Sequence, residues 1–116
     1  MGLQSKEQKP LRALLIVVAF VSFASSGQAQ EQSHTLTIYE NRFEPSALQV
    51  PAGVKFKLTV RNATPKSAEF ESNELNREKV VPANASAVIY LGPLAPGSYP
   101  YFDDFNAAKR GQIIAK

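Results

Sequence analysis

Carboxylates carry most of the chemistry this sequence can offer. Glu69, Glu71, Glu74 and Glu78 lie within ten residues of one another, and Asp103 and Asp104 are adjacent further along the chain. Carboxylate oxygens are hard ligands, suited to Mn, Ca, Mg and oxidised iron and poorly suited to Cu(I). Two or three of them within about 4 to 6 Å repel one another and raise a pKa unless a cation neutralises them. Softer donors are missing: there is no cysteine, His34 is the sole histidine and Met1 the sole methionine. A centre built from two imidazoles and a thiolate is therefore excluded. The chain also lacks a thiol nucleophile, a Ser-His pairing at a recognisable motif, a Gly-rich phosphate loop and zinc-ligand spacing.

The elements that must position these carboxylates are strands. Thr35 to Tyr39 alternates with period two, and Val54 to Arg61 repeats the alternation over eight residues. Phe43-Glu44-Pro45 through Pro51-Ala52-Gly53 reads as an extended segment closed by a turn, and its two prolines predict an edge strand or a strand that changes sheet. Ala68 to Ser72 is a short alternating piece with Phe70 inward. Asn73 to Arg77 is either one helical turn or an irregular loop, and Glu78 to Val81 and Ser86 to Leu91 return to strand patterns. Leu94-Ala95-Pro96-Gly97-Ser98-Tyr99 fits a tyrosine corner, in which the Tyr99 hydroxyl returns to the backbone a few residues upstream. Tyr101 shares that face and joins the core, whereas Phe102 points the other way. No helical period is sustained, so the expected fold is an all-β, two-sheet Greek-key β-sandwich. Paired carboxylates acting as acid and base are disfavoured in a small sandwich with no evident cleft.

The N-terminus reads as an export signal. Lys6, Lys9 and Arg12 form a basic region, twelve apolar or small residues run from Ala13 to Ala24, and Ser25 to Ala29 offers a cleavage site. Twelve helical residues span about 18 Å, short of a roughly 30 Å hydrocarbon core, so no stable membrane insertion is expected once the signal is cleaved. The organisation is then a signal peptide over 1–29 and one domain over 30–116, with a periplasmic location. The full chain carries a formal charge of +3, but without the charged residues of the signal the domain falls to about +1. Its remaining Lys and Arg are scattered, and no nucleic-acid partner is expected. An exported domain of this size without disulfides must be held together by packing alone.

Residues 94–116 resemble the cupredoxin family. There an approach strand ends in Cys-x-x-His, a Met follows three residues later, and a Gly and a final strand come next. Laid on this chain, the cysteine position holds Asp103, the histidine position Asn106 and the methionine position Lys109, with Gly111 following. The resemblance extends to Phe43-Glu44-Pro45 and Leu48 to Gly53. Glu69-Phe70-Glu71-Ser72 and Glu74 to Val81 resemble cupredoxin-like subunits associated with bacterial high-affinity iron permeases, many of which keep a histidine where this chain has Asn106. The family's first histidine ligand falls near Ala68, beside Glu69.

The resemblance implies a metal-binding protein that handles iron, with copper or manganese as alternatives, and without a type 1 copper centre. It implies Glu69 and Asp103 as first-choice ligands and Glu71, Glu78 and Asp104 as candidates. The implied partner is an iron permease or a periplasmic iron-binding subunit. The chain is expected not to be an enzyme, although an accessory role in ferrous iron oxidation fits. Two alternatives stand beside this. Lys109 and Arg110 neutralise Asp103 and Asp104 in a fold that has lost its metal, or the domain is a metal-free module docking onto an envelope partner through Phe102 and Phe105. His34 becomes a ligand only if the first strand runs beside the site.

Overall fold

The alternating segments pair into nine strands in the computed structural model, which describes residues 32–116 together with 2, 18 and 19; the expected signal over 1–29 otherwise lies outside the described residues. The strands are β1 (Gln32–Ile38), β2 (Phe43–Glu44), β3 (Ala47–Val50), β4 (Phe56–Asn62), β5 (Ala68–Ser72), β6 (Arg77–Val81), β7 (Ser86–Leu91), β8 (Gly97–Asp103) and β9 (Asn106–Ala115). One sheet has the order β2-β1-β4-β7 and the other β3-β9-β8-β5-β6. Both are mixed, because β1 runs parallel to β4 and β3 parallel to β9 among otherwise antiparallel pairs. Among the described residues there is no helix.

The two sheets bury one face each. Leu36, Ile38, Leu58 and Val60 from the first meet Phe70, Tyr101, Ile113 and Ala115 from the second, all at most 2% exposed. Full burial of one such side chain contributes roughly 1.5–3 kcal/mol, which is how the domain holds together without a disulfide. The segment expected to be either an edge strand or a strand that changes sheet is both. Its first half, β2, edges one sheet and its second half, β3, edges the other.

Local devices along the strands set the positions of those that carry the acidic residues. Tyr99 Oη donates to the Ala95 carbonyl at 2.8 Å, the tyrosine corner that sets the path into β8. Gly111 lies under the Tyr101 ring, and a Cβ there would stand 2.5 Å from Tyr101 Oη, so only glycine lets β9 pass this close. Asn62 ties two connections together: its Nδ2 donates to the carbonyls of Lys66, Val81 and Pro82, and its Oδ1 accepts from Thr64 N and Oγ1. Asn73 to Arg77 forms a tight turn, with Asn76 in the left-handed region at φ 51° and its N–H bonded to the Asn73 carbonyl. That turn folds β6 back onto β5 in a register that sets Glu78 directly opposite Glu71.

Candidate functional site

Strands β5 and β8 carry two charged sites, one on each face of their sheet. The register pairs Phe70 with Asp103 and Glu71 with Phe102. Residues directly opposite in an antiparallel pair share a face, and successive residues alternate. Asp103 therefore points inward with Phe70, and Glu69 and Glu71 point outward.

On the outward face, Glu69, Glu71 and Asp104 can each place one carboxylate oxygen within 4.8 Å of the others. Glu78, on β6 and directly opposite Glu71, shares this face. Like charges set opposite each other across a strand pair are unfavourable, and the Glu71–Glu78 register imposes this. The Glu69 carboxyl responds: the hydrogen bond with Glu78 first, then burial, then the charges of Glu78, Asp104 and Glu71 push its pKa up to about 7. Glu71 is also raised, first by burial and then by the charges of Asp104 and Glu78. Glu69 is 7% exposed, Glu71 half-buried, and Asp104 and Glu78 exposed, so the cluster opens to solvent on one side. Glu74 lies on the β5–β6 turn and is exposed.

On the inward face, Asp103 is committed to other groups. Its Oδ1 accepts from Glu69 N at 2.9 Å and from Phe105 N at 3.0 Å. Its Oδ2 lies 3.1 Å from Lys109 Nζ, and the two side chains are 2% and 7% exposed. Lys109 Nζ also donates to the Tyr39 carbonyl at 3.2 Å. The bond to Phe105 N closes an Asx turn at the tip between β8 and β9. Asp104 N then reaches the Glu69 carbonyl at 2.9 Å. The buried aspartate thus positions its exposed neighbour: by holding the tip over β5, it sets the Asp104 carboxylate beside Glu69 and Glu71.

These contacts locate every residue singled out in the sequence. Glu69, Glu71, Glu78 and Asp104 come together. Asp103 stands apart, because it leaves the sheet on the opposite face from Glu69, and the two meet only through the Glu69 backbone N–H. Lys109 neutralises Asp103, but Arg110 does not neutralise Asp104. Its guanidinium lies 5.7 Å from the centre of the Phe102 ring and donates to the Ala107 carbonyl. His34 is in the first half of β1, whereas Tyr39, which meets Lys109, follows the other end of that strand. Its ring packs edge-on to Phe56 at 5.6 Å, and its buried Nε2 has no hydrogen-bond partner. Phe105 is 55% exposed. A cleft of about 200 Å³ at this end is lined by Glu40, Thr64, Lys66, Asp103, Asn106 and Lys109, among others. Sequence reasoning gave no sign of the Asn62 hub or the Tyr39 carbonyl. Asn62 lies just past the alternating Val54–Arg61 segment, where local pattern carries no signal, and a carbonyl has no side-chain signature.

The match to the cupredoxin-like domain model covers residues 12–115. This chain belongs to the cupredoxin-like domain family. A protein of Rickettsia prowazekii of uncharacterised function is 42% identical over 71 residues, which are 61% of this chain; the chain spans 57% of that relative's length. Among solved structures, the metal-binding domain of the Cu(I)-exporting P-type ATPase CopA of Streptococcus pneumoniae, with Cu(I), superposes with a TM-score of 0.65 at 16% identity. The overlap covers 72% of this chain and 84% of that one. Auracyanin A, a blue copper protein from Chloroflexus aurantiacus, gives 0.60 at 12% identity, covering 72% and 98%. At such identities the likeness shows a shared fold.

The residues of this cupredoxin-like domain do not fit the copper of its blue-copper relatives. Asp103, Asn106 and Lys109, at the positions laid on the family's cysteine, histidine and methionine, line one cleft. They supply a carboxylate, a carboxamide and a cation. The carboxylate is already paired with the cation at 3.1 Å. A type 1 centre needs a thiolate and imidazoles, and neither is present there.

Proposed function

We propose that this cupredoxin-like domain binds a hard cation, iron in the first place, on Glu69, Glu71, Glu78 and Asp104, and that it serves as an exported, periplasmic accessory of a membrane iron uptake system. The observation that carries the proposal is the convergence of Glu69, Glu71 and Asp104 within 4.8 Å, in a register that sets two glutamates opposite each other. No Lys or Arg salt bridge neutralises these carboxylates among the described residues. A multivalent cation turns their mutual repulsion into affinity. The resemblance of the Glu69–Ser72 and Glu74–Val81 segments to iron-permease-linked cupredoxins favours iron among the hard cations. Oxidation of ferrous iron belongs to a separate metalloprotein, because this chain supplies no redox copper.

Titration calorimetry with Fe(II) under anaerobic conditions and with Mn(II) tests the proposal. Stoichiometric binding at micromolar or better affinity, lost in the double variant Glu71→Gln, Asp104→Asn, is expected. Absence of binding by the intact protein would refute it.

Phe105, 55% exposed at the β8–β9 tip, favours a second reading as a metal-free docking module. Under that reading, Phe105→Ala abolishes capture by an envelope partner, and Asp104→Asn leaves capture intact.

A further inference from the structure

The misfit between this chain and the family's copper has a definite form: a cation is present, and it is the protein's own. Lys109 Nζ stands 3.1 Å from Asp103 Oδ2 and 3.2 Å from the Tyr39 carbonyl, in the cleft where the positions laid on cysteine, histidine and methionine converge. The ammonium therefore sits between two oxygens of the kind that would ligate a hard cation. Lys109 reaches them from the inward face of β9, with its side chain 7% exposed. A surface lysine that strayed inward would leave its charge without compensation, which burial makes costly. Here the carboxylate, the carbonyl and the lysine stem together account for the charge.

We propose that Lys109 is the built-in cation of this cleft. It excludes metal ions from the inward face, so that metal binding is confined to the outward carboxylates, and the cleft takes up a hard cation only when the ammonium is removed. Substitution of Lys109 by methionine would leave Asp103 Oδ2 and the Tyr39 carbonyl as unmatched oxygens, with Asn106, Thr64 and Glu40 lining the same cleft and Lys66, an exposed side chain, at its edge. That set suits Mn(II) and not Cu(I).

The test uses the purified protein carrying Glu71→Gln and Asp104→Asn, the pair expected to abolish outward binding, neither of which lines the cleft. Failure of the outward-site proposal is thereby kept apart from failure of this one. With Lys109 in place, Mn(II) and Cu(II) are expected to leave the melting temperature unchanged. With Lys109→Met added, the melting temperature falls by 10 °C or more, and Mn(II) restores part of the loss with a one-to-one stoichiometry. Should Lys109→Met fail to fold, Asp103→Asn combined with Lys109→Met decides the matter. Asparagine keeps an oxygen for the N–H groups of Glu69 and Phe105, so recovery of a folded protein in the double variant supports charge compensation. An unfolded double variant would overturn the proposal, since Lys109 would then act through the packing of its stem. Metal binding with Lys109 intact that Asp103→Asn abolishes would overturn it equally, as would a stable Lys109→Met protein indifferent to Mn(II).

Discussion

Two acidic sites lie back to back on β5 and β8, and they have opposite electrostatic characters. Inward, one carboxylate meets one ammonium and two N–H donors, and its charge is fully compensated. Outward, Glu69, Glu71, Glu78 and Asp104 face one another with no salt bridge to a basic side chain among the described residues. The compensated site holds the hairpin tip; the uncompensated one is left with unspent ligand capacity. The structural role and the proposed binding role are thus separated by the thickness of one strand. A single residue step along the chain, from Asp103 to Asp104, crosses from one role to the other.

The sharpest way to break this division is Asp103→Ala. It leaves a buried ammonium unpaired and removes an acceptor from two N–H groups, so a loss of about 4–5 kcal/mol in urea unfolding is expected. A loss under 1 kcal/mol would show that the pair is not structural. Because Asp103 also sets the position of Asp104, the same variant should weaken cation binding outward even where the protein remains folded. The next largest effect belongs to the outward site itself. Asp104→Asn alone is expected to reduce Mn(II) affinity at least tenfold with a change in unfolding free energy below about 1 kcal/mol. The tyrosine corner is a control remote from both sites: Tyr99→Phe should lose about 1 kcal/mol and leave metal affinity unchanged.

The smallest effect is a pH dependence. Glu69 has a folded pKa of about 7 against an ordinary value of 4.5, so between these values the folded protein holds a proton that the unfolded chain has released. The corresponding stabilisation is complete below about pH 4.5 and is lost as the pH rises through about 7. Unfolding free energy measured across that window should fall with rising pH, and Glu69→Gln should flatten the slope. A cation competes with the same proton, so affinity weakens as the pH drops below about 7. A slope that survives Glu69→Gln undiminished would overturn the assignment to Glu69.

Much of the fold could be read from local pattern. Alternation placed β1, β4 and β7, the two prolines of residues 43–53 marked the change of sheet, and Leu94 to Tyr99 marked the tyrosine corner, because each depends on neighbouring residues alone. The absence of cysteine and the lone His34 excluded a blue-copper centre for the same reason, since composition needs no geometry. Asp103 and Lys109 were placed at one end of the fold by alignment with a known layout, with their pairing one of several arrangements left open.

Tertiary structure decided the rest. Whether Glu69 shares a face with Asp103 or with Asp104 depends on the register between β5 and β8, whose paired residues Phe70 and Asp103 lie more than thirty positions apart, and a slip of one residue would exchange the two aspartates. Glu78 enters the cluster only because the Asn73–Arg77 turn fixes the β5–β6 register, and Lys109 finds the Tyr39 carbonyl only because the first sheet closes over the second. The amino-acid sequence therefore determined which charges this protein carries and that they would lie near one end of a sandwich. The register of the strands decided which are neutralised inside and which are left facing one another outside, because opposite residues share a face and a backbone carbonyl has no signature in the sequence.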